Sequence, residues 1–297
     1  MHGISRREFI RIAGVGGAFL FTCTAGLPDA FGAGAKEAFT FLQLSDTHIG
    51  FANPAVNPEA GTTLKKAVAA INALSAQPDF IVFTGDLTHT TDDPQERRKR
   101  LAEFKAIASG LTQKNLHFLP GEHDASLDKG EAYMEFFGKT HYAFQHKGVN
   151  FLCLDNVSDP TGSVGQEQLQ WLAGELGKLS KTDRIVVLTH RPLFDLLPEW
   201  DWATRDGAKV MELLMPYQDV TVLYGHIHQV NHHDTGHIGH HAAMGLAYPL
   251  PAPGSVPKKA PIPWDAAAPF KGLGYRGLDA KTDAPGLTIA EHPLGGA

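Results

Sequence analysis

Carboxylate and imidazole side chains recur at the ends of apolar runs in this sequence, and both groups can bind metal ions. In chain order they are Asp46 and His48, Asp86, Glu122 and His123, His190, and His226 and His228. Such side chains are ligands of Zn, Mn and Fe, and two such ions about 3.5–4 Å apart form a clamp for phosphoryl transfer. A single histidine is most simply explained as an ordinary packed or surface residue. Five strands that each end in metal-binding side chains predict a dinuclear metal site.

Five β-rich runs are predicted to be the strands that position these groups, over residues 39–44, 80–84, 116–119, 184–189 and 220–224. The run at 80–84 is continuously apolar or β-branched, which is typical of a strand buried on both faces. Asp86 comes just after it, and open α/β sheets bind ligands at the carboxyl ends of their strands. A Gly-Asp pair is also common in ordinary turns, so Asp86 alone does not indicate a functional site.

The spacing within the motifs suggests how the groups could face a metal. In an extended backbone, residues i and i+2 point to one side, so Asp46 and His48 are expected to face one ion, as are the histidines of 226–228. Three candidate ligands follow glycines that allow a sharp turn: Gly85, Gly121 and Gly225.

Helical spacing of apolar residues predicts helices over 62–77, from Pro94 to Gly110, and over 166–179, with Asp92 and Asp93 capping the second. A helix between two buried strands forms a β-α-β unit, which predicts that those strands run parallel.

Two antiparallel pairs are also predicted. Residues 142–144 and 149–155 have the pattern of a hairpin, and residues 229–250 that of antiparallel strands with a turn at Thr235-Gly236. The Pro- and Ala-rich segment 249–269 is expected to be irregular surface structure rather than a second domain.

Together, the motifs resemble those of the calcineurin-like metallophosphoesterase family. The matching residues, from about Phe39 to His228, follow the family's order: Asp46-Thr47-His48, Gly85-Asp86, Gly121-Glu122-His123-Asp124, His190 and Gly225-His226-Ile227-His228. The resemblance implies an α/β fold, namely a four-layer α/β/β/α sandwich in which helices flank two central mixed β-sheets. It also implies two divalent or trivalent transition-metal ions, which would be Mn, Fe or Zn.

The resemblance implies ligands for both metals: Asp46, His48 and His228 for the first, His190 and His226 for the second, and Asp86 as the bridge between them. His123 would protonate the leaving-group oxygen or steady the phosphate, and Asp124 would orient His123. The implied reaction is hydrolysis of a phosphoester by a hydroxide that bridges the two metals.

Glu122 departs from the family, which usually has asparagine at this position as a ligand of the second metal. Glutamate is longer and anionic, so it would lower the net charge of the site and could favour a more highly charged metal. Two alternatives remain. Either Glu122 binds the second metal through its carboxylate, which we favour, or it lies outside the ligand set and that metal is bound more weakly.

The motifs resemble the bacterial cyclic-nucleotide and glycerophosphodiester phosphodiesterase branch more than the Ser/Thr protein phosphatases. The expected substrate is therefore a small phosphodiester. The alternative is a phosphomonoester, although the tyrosine that purple acid phosphatases place after Gly-Asp is replaced here by Leu87-Thr88-His89. Glu122 and a histidine-rich segment also raise an alternative of another class, a periplasmic metal-binding or metal-oxidising protein on the same scaffold.

The composition limits the partners. The chain has 297 residues, of which 43% are hydrophobic and 20% charged, with a formal net charge of −6. This is typical of a soluble globular protein and argues against a nucleic-acid binder, which needs a basic face. The basic run at 96–100 is therefore expected to be a solvated helix face.

Residues 1–35 are expected to be a twin-arginine signal peptide, because Ser5-Arg6-Arg7-Glu8-Phe9-Ile10 precedes an apolar run and a small-residue cleavage site. This predicts a partner in the twin-arginine export machinery, a periplasmic or secreted location, and no stable membrane association after cleavage. The remaining residues 36–297 would form a single domain. Cys153 would then be the one cysteine left, a small buried residue.

Two groups of residues remain ambiguous. Five histidines after the last motif could form an extra metal site, but exposed strand positions are the preferred interpretation: His232, His233, His237, His240 and His241. Five aromatic residues could form the wall of the substrate site or could equally be ordinary packing: Phe194, Trp200, Trp202, Tyr248 and Trp264.

Overall fold

The structure, a computed structural model, describes residues 37–295. In chain order the elements are β1 (Phe39–Leu44), α1 (Ala60–Asn72), β2 (Phe80–Thr84), α2 (Pro94–Ala108), β3 (Leu116–Leu119), α3 (Glu122–Ala125), α4 (Glu131–Phe137), β4 (Tyr142–His146), β5 (Val149–Cys153), α5 (Gln166–Leu176), β6 (Arg184–Leu188), α6 (Gly207–Leu214), β7 (Asp219–Tyr224), β8 (Asn231–Thr235), β9 (Ile238–Ala242), β10 (Gly274–Ala280) and β11 (Thr288–Pro293). The predicted signal peptide lies outside the described residues.

Two mixed sheets form the centre of the fold. The first has the strand order β11-β10-β1-β2-β3 and the second the order β4-β5-β6-β7-β9-β8. Strands β1, β2 and β3 run parallel, as do β5, β6 and β7. The carboxyl ends of parallel strands lie at one edge of a sheet, so the loops that follow these strands are close to one another.

The packing produces four layers. Between the sheets, Phe41 of β1 stacks on Phe80 of β2 at 4.8 Å and meets Phe151 of β5 edge-on at 5.4 Å. Apolar residues of α1 and α2 cover the outer face of the first sheet, and those of α5 and α6 cover the second. All five residues of β2 are buried, as its apolar run predicts. The predicted α/β/β/α sandwich is confirmed.

Several predicted elements differ in length from the observed ones. Helix α1 begins two residues earlier than predicted and ends at Asn72, and α5 ends at Leu176. Helix α2 is capped by Asp93, whose carboxylate accepts a hydrogen bond from the Gln95 amide at 2.8 Å. Asp92 does not provide this cap.

The hairpin predictions are confirmed. Strands β4 and β5 pair antiparallel, and so do β8 and β9, with the predicted turn between Thr235 and Ile238. Strand β9 also pairs parallel with β7. The segment 249–269 contains neither helix nor strand.

Strands β10 and β11 were not predicted. They extend the first sheet beyond β1, and Arg276 of β10 is buried with its guanidinium 2.7 Å from the Glu291 carboxylate of β11. This buried ion pair explains why the two strands were not predicted, because a charged residue interrupts the apolar pattern that marks a strand.

The basic run on α2 is only partly a solvated face. Arg97 is buried and forms an ion pair with Asp128 at 2.6 Å, and Arg100 donates to the carbonyl oxygens of His89 and Thr90. The prediction was wrong for Arg97, because its guanidinium links α2 to the Asp128 segment.

Cys153 is buried with a free thiol, as predicted. No helix in residues 37–295 is long and apolar enough to cross a membrane.

Candidate metal centre

The structure brings seven predicted site residues into two adjacent clusters. The first comprises Asp46, His48, Asp86 and His228, and the second Asp86, Glu122, His190 and His226. In each cluster, one nitrogen or oxygen atom from every residue lies within 4.8 Å of the others. Asp86 belongs to both clusters, so its carboxylate lies where the predicted bridge between two ions should be.

In the first cluster, the Nε2 atoms of His48 and His228 are 3.1 Å apart. The Asp86 Oδ2 atom is 3.4 Å from Nε2 of His48, and the Asp46 Oδ1 atom is 3.4 Å from Nε2 of His228. Two carboxylates and two imidazoles thus converge from the loops after β1, β2 and β7.

In the second cluster, the two oxygens of Glu122 face two different imidazoles. Oε2 is 2.8 Å from Nε2 of His190, and Oε1 is 2.9 Å from Nδ1 of His226. The Asp86 Oδ2 atom lies 3.5 Å from the same His190 nitrogen. This placement supports the interpretation that Glu122 belongs to the ligand set.

The backbone reaches these positions by left-handed turns rather than by an extended strand. Five candidate ligands have positive φ angles: Asp46 (55°), His48 (42°), Asp86 (48°), His226 (65°) and His228 (51°). Strand β1 ends at Leu44, before the Asp-Thr-His motif. Asp46 and His48 share a cluster as predicted, whereas His226 and His228 lie in different clusters, so the prediction from alternation in an extended strand is wrong. Such strained conformations cluster at functional sites in proteins.

The glycines before the ligands act in two ways. Gly85 has a φ of +97°, so it provides a left-handed turn that other residues rarely adopt. Gly121 has a φ of −102°, and its role is close approach, because a Cβ atom there would overlap Asp86. The predicted sharp turn thus applies to Gly85 and not to Gly121.

The second ring nitrogen of each candidate histidine ligand has its own partner. His190 Nδ1 is 2.7 Å from the Thr84 carbonyl oxygen, His228 Nδ1 is 2.6 Å from that of Tyr248, and His226 Nε2 is 2.9 Å from that of Asp201. A carbonyl oxygen accepts only, so the nitrogen facing it carries a proton, and the opposite nitrogen of each ring is the one that can bind a metal ion after it is deprotonated.

His48 is the exception. Its Nδ1 lies 3.3 Å from Nδ1 of His89, a side chain rather than a carbonyl. The His89 ring is also nearly parallel to that of His123, with centroids 4.9 Å apart. His89 has no assigned role in the sequence prediction. The signal available was its position three residues after Asp86 in the same loop.

His123 lies beside the shared carboxylate. Its Nε2 is 3.9 Å from Asp86 Oδ2, and its side chain is 25% exposed, so a substrate can reach it. The Thr90 amide donates to His123 Nδ1 at 3.1 Å, and the Thr90 hydroxyl lies 2.6 Å from the same atom. Since Nδ1 accepts from an amide, Nε2 carries the ring proton and faces the clusters.

Asp124 does not orient His123. Its carboxylate accepts hydrogen bonds from the backbone amides of Leu87, Thr88 and Gly121 at 2.8–2.9 Å. Asp124 therefore fixes the loop that carries Asp86, and the predicted orienting contact with His123 is made by Thr90 instead.

Burial controls the charge of the first cluster. It lowers the pKa of His48 well below its ordinary value and that of His228 to about 3, so both rings are neutral at neutral pH. Burial, reinforced by the Asp86 charge, raises the pKa of Asp46 to about 8. Neutral imidazoles are the form that binds a metal ion.

Charge attraction dominates the second cluster. Burial alone would raise the pKa of Glu122, but His226 and His190 hold it well below its ordinary value. Burial alone would lower the pKa of His190, but Asp86 and Glu122 raise it. Two ionised carboxylates thus attract positive charge to the centre of this cluster.

The second cluster fits a cation for a further reason. Three of its buried polar atoms form no well-oriented hydrogen bond within the described residues, although Glu122 lies within 2.9 Å of both rings: Glu122 Oε2, His190 Nε2 and His226 Nδ1. Buried polar atoms without partners are costly and rare. Their convergence and their donor types match the ligand preferences of Zn, Mn and Fe.

The aromatic residues have different surroundings. Trp200 and Trp202 are buried and belong to a packed cluster, so they do not form the wall of an open site. Phe194 stacks on His233 of the hairpin, with ring centroids 3.9 Å apart. Tyr248 is buried and stacks on His228 at 4.4 Å, and Trp264 is 37% exposed.

Within residues 37–295, the histidine-rich hairpin contributes to none of the three groups that could hold a metal ion, the third of which comprises His48, His89 and His123. His232, His233 and His237 are exposed, as predicted, whereas His240 and His241 are buried. The exposed-strand prediction was wrong for these last two, because β9 lies between β7 and β8.

The sequence of residues 39–230 matches the family described as calcineurin-like phosphoesterase. A probable cyclic nucleotide phosphodiesterase of Rhodococcus erythropolis is 29% identical over 205 residues, which cover 63% of this chain and 64% of the relative. A serine/threonine-protein phosphatase of Mus musculus is 27% identical, over 54% of this chain and 58% of the relative. For a probable glycerophosphodiester phosphodiesterase of Arcobacter nitrofigilis, the identity is 26% and the coverage 64% and 72%. The match thus spans less than two thirds of the length of the first two relatives.

Solved structures share the fold. A dimetal phosphatase from Danio rerio superposes with a TM-score of 0.60 at 14% identity, covering 86% of this chain and 96% of that one. A purple acid phosphatase from Lupinus luteus also gives a TM-score of 0.60, at 15% identity, over 82% of this chain and 49% of that one. With residues 39–230 matched to the family and the sandwich architecture shared, this chain belongs to the calcineurin-like phosphoesterases.

Proposed function

We propose that this protein is a dinuclear metal-dependent phosphoesterase that prefers phosphodiesters. The observation that carries the proposal is the pair of four-residue clusters that share Asp86. Asp46, His48 and His228 would complete the first site, and Glu122, His190 and His226 the second. Two ions bound there would activate water at neutral pH and offset charge that develops on the phosphoryl oxygens.

His123 is the proposed hydrogen-bond donor that steadies the phosphate or the leaving-group oxygen. Thr90 holds the ring so that its Nε2–H faces the shared Asp86 carboxylate, 3.9 Å away. A phosphoester bound at the clusters would place its leaving-group oxygen within reach of this proton. Asp124 would support the reaction indirectly by fixing the loop that carries Asp86.

The charge of the ligand set favours a diester. The three carboxylates Asp46, Asp86 and Glu122, set against two divalent ions, leave a formal charge of +1, whereas asparagine at position 122 would leave +2. A lower positive charge attracts a dianionic monoester less, relative to a monoanionic diester. Two relatives named as phosphodiesterases are consistent with this preference.

The location of the enzyme is part of the proposal. The Arg6-Arg7 motif supports export by the twin-arginine machinery and action outside the cytoplasm on a small phosphoester. An exported phosphodiesterase would hydrolyse diesters in its surroundings to a monoester and an alcohol. Fractionation of cells that express the wild type and an Arg6→Lys/Arg7→Lys variant would test it. If the variant stays in the cytoplasm while the wild type is exported, the result supports export by this route.

Assays with bis(p-nitrophenyl) phosphate and p-nitrophenyl phosphate, each with Mn, Zn, Fe or Cu, test the reaction. The proposal predicts turnover of the diester in excess of the monoester. The reverse order would make the protein a phosphomonoesterase. No turnover of either ester with any metal would overturn the enzyme proposal and leave a metal-binding or metal-oxidising protein on this scaffold.

A further inference from the structure

A cavity of about 590 Å³ lies next to the first cluster. Its wall comes from the loop after β1, the segment after β7, and the irregular segment that precedes β10. Two backbone hydrogen bonds hold this last segment in place, from the Trp264 amide to the Ala55 carbonyl at 2.9 Å and from the Ile262 amide to the Pro249 carbonyl at 3.0 Å. A volume of this size is that of a typical small-molecule site.

His228 joins the cavity to the proposed reaction centre. Its Nε2 atom belongs to the first cluster, and the residue also lines the cavity. A molecule in the cavity therefore lies against a candidate metal ligand. Of the seven cluster residues, His228 alone lines the cavity.

The wall of the cavity is mainly apolar. Its polar side chains Asn57 and Gln229 already donate to backbone carbonyls, Asn57 to Ala247 at 2.6 Å and Gln229 to Pro251 at 2.9 Å. The charged side chains in the wall, Asp265 and Lys271, are both exposed to solvent. The lining thus offers few free polar groups to a sugar or a glycerol.

Large apolar side chains in this wall remain exposed. Val230 is 41% exposed, Ile262 42% and Trp264 37%, and all three line the cavity. Each adds apolar contact area to the cavity. Burying such side chains under an apolar group is favourable by about 25 cal/mol for each Å² removed from water.

We infer that this cavity binds an apolar organic group of the substrate, so that the enzyme selects phosphodiesters that carry an alkyl or aryl substituent. The inference rests on the proposed phosphodiesterase activity and adds the class of substrate. It places specificity in the segment before β10 rather than in the buried Trp200 and Trp202.

The test compares methyl p-nitrophenyl phosphate with hexyl p-nitrophenyl phosphate, which share a leaving group and a charge. Wild-type kcat/KM should be about tenfold or more higher for the hexyl ester, because the alkyl chain is buried in the cavity. Ala268→Trp places a large side chain in the cavity and should remove this preference by slowing the hexyl ester alone. Ala267→Trp is the control, since Ala267 is exposed and does not line the cavity.

A second variant, Trp264→Ser, removes apolar wall at an exposed position and should also reduce the preference for the hexyl ester. Unchanged hydrolysis of the methyl ester shows that each variant is folded and active. Equal kcat/KM for the two esters in the wild type, or an unaltered ratio in Ala268→Trp and Trp264→Ser, would overturn the inference alone. No turnover of either ester would overturn the proposed function and the substrate assignment with it.

Discussion

The Nδ1 atoms of His48 and His89 lie 3.3 Å apart, whereas the other candidate histidine ligands direct their second nitrogen at backbone carbonyls. If His48 binds metal through Nε2, its Nδ1 carries a proton and His89 must accept it. His89 would then hold the His48 ring in the metal-binding tautomer.

Replacing His89 tests this relationship. His89→Phe keeps an aromatic ring beside His123 but removes the acceptor, so the affinity of the first cluster for Mn²⁺ should fall about tenfold or more. His89→Asn keeps an acceptor oxygen near the same place and should stay closer to wild type. Calorimetric titration of the metal-free wild type and both variants with Mn²⁺ measures these affinities. Equal affinities in all three proteins would show that His89 does not support His48.

Asp86 should control both metals. Its carboxylate belongs to both clusters, so Asp86→Ala is expected to lose both ions together. His226→Ala removes a ligand from the second cluster only and should chiefly weaken one. Elemental analysis of the purified variants counts the ions per chain. Retention of a full equivalent by Asp86→Ala would contradict the shared position.

Glu122→Gln tests the departure from the family while keeping the length of the side chain. Loss of the charge should weaken the second metal about tenfold, because both carboxylate oxygens face the ring nitrogens of that cluster. It should also raise the rate with a monoester relative to a diester. Glu103→Gln, at an exposed position on α2, is the control. Metal content and rates equal to wild type would place Glu122 outside the ligand set.

Metal uptake by the first cluster should depend on pH. The pKa of Asp46 is raised to about 8, so below that pH the carboxyl must lose a proton before it binds an ion. Affinity should therefore fall about tenfold for each unit that the pH drops below 8 and level off above it. The pKa values of His48 and His228 are lowered, so both rings are already neutral in this pH range. They therefore add nothing to the dependence of metal affinity on pH. Mn²⁺ affinities of the His226→Ala variant from pH 6 to 9 test this, and a flat profile would contradict it.

Much of the site could be predicted from the sequence because its residues come just after buried apolar strands. Such strands are recognisable locally, and parallel pairing brings their ends together. The left-handed turns at Asp46 and His48 could not be predicted in this way, because non-glycine residues rarely adopt them.

Contacts between distant segments were the main omission. Thr90 rather than Asp124 contacts the His123 ring, and this depends on how the loop after β2 folds back towards α3. Strands β10 and β11 were missed because Arg276 interrupts the apolar pattern and is neutralised only by Glu291, fifteen residues later. Local patterns carry no information on such pairings.

The most direct test adds Mn²⁺ or Zn²⁺ in steps to metal-free protein while the hydrolysis of bis(p-nitrophenyl) phosphate is followed. Two clusters that share Asp86 predict a rate that rises until two ions are bound per chain and then stays constant. Saturation at one ion per chain, or no hydrolysis at any ratio of metal to protein, would contradict a dinuclear phosphoesterase.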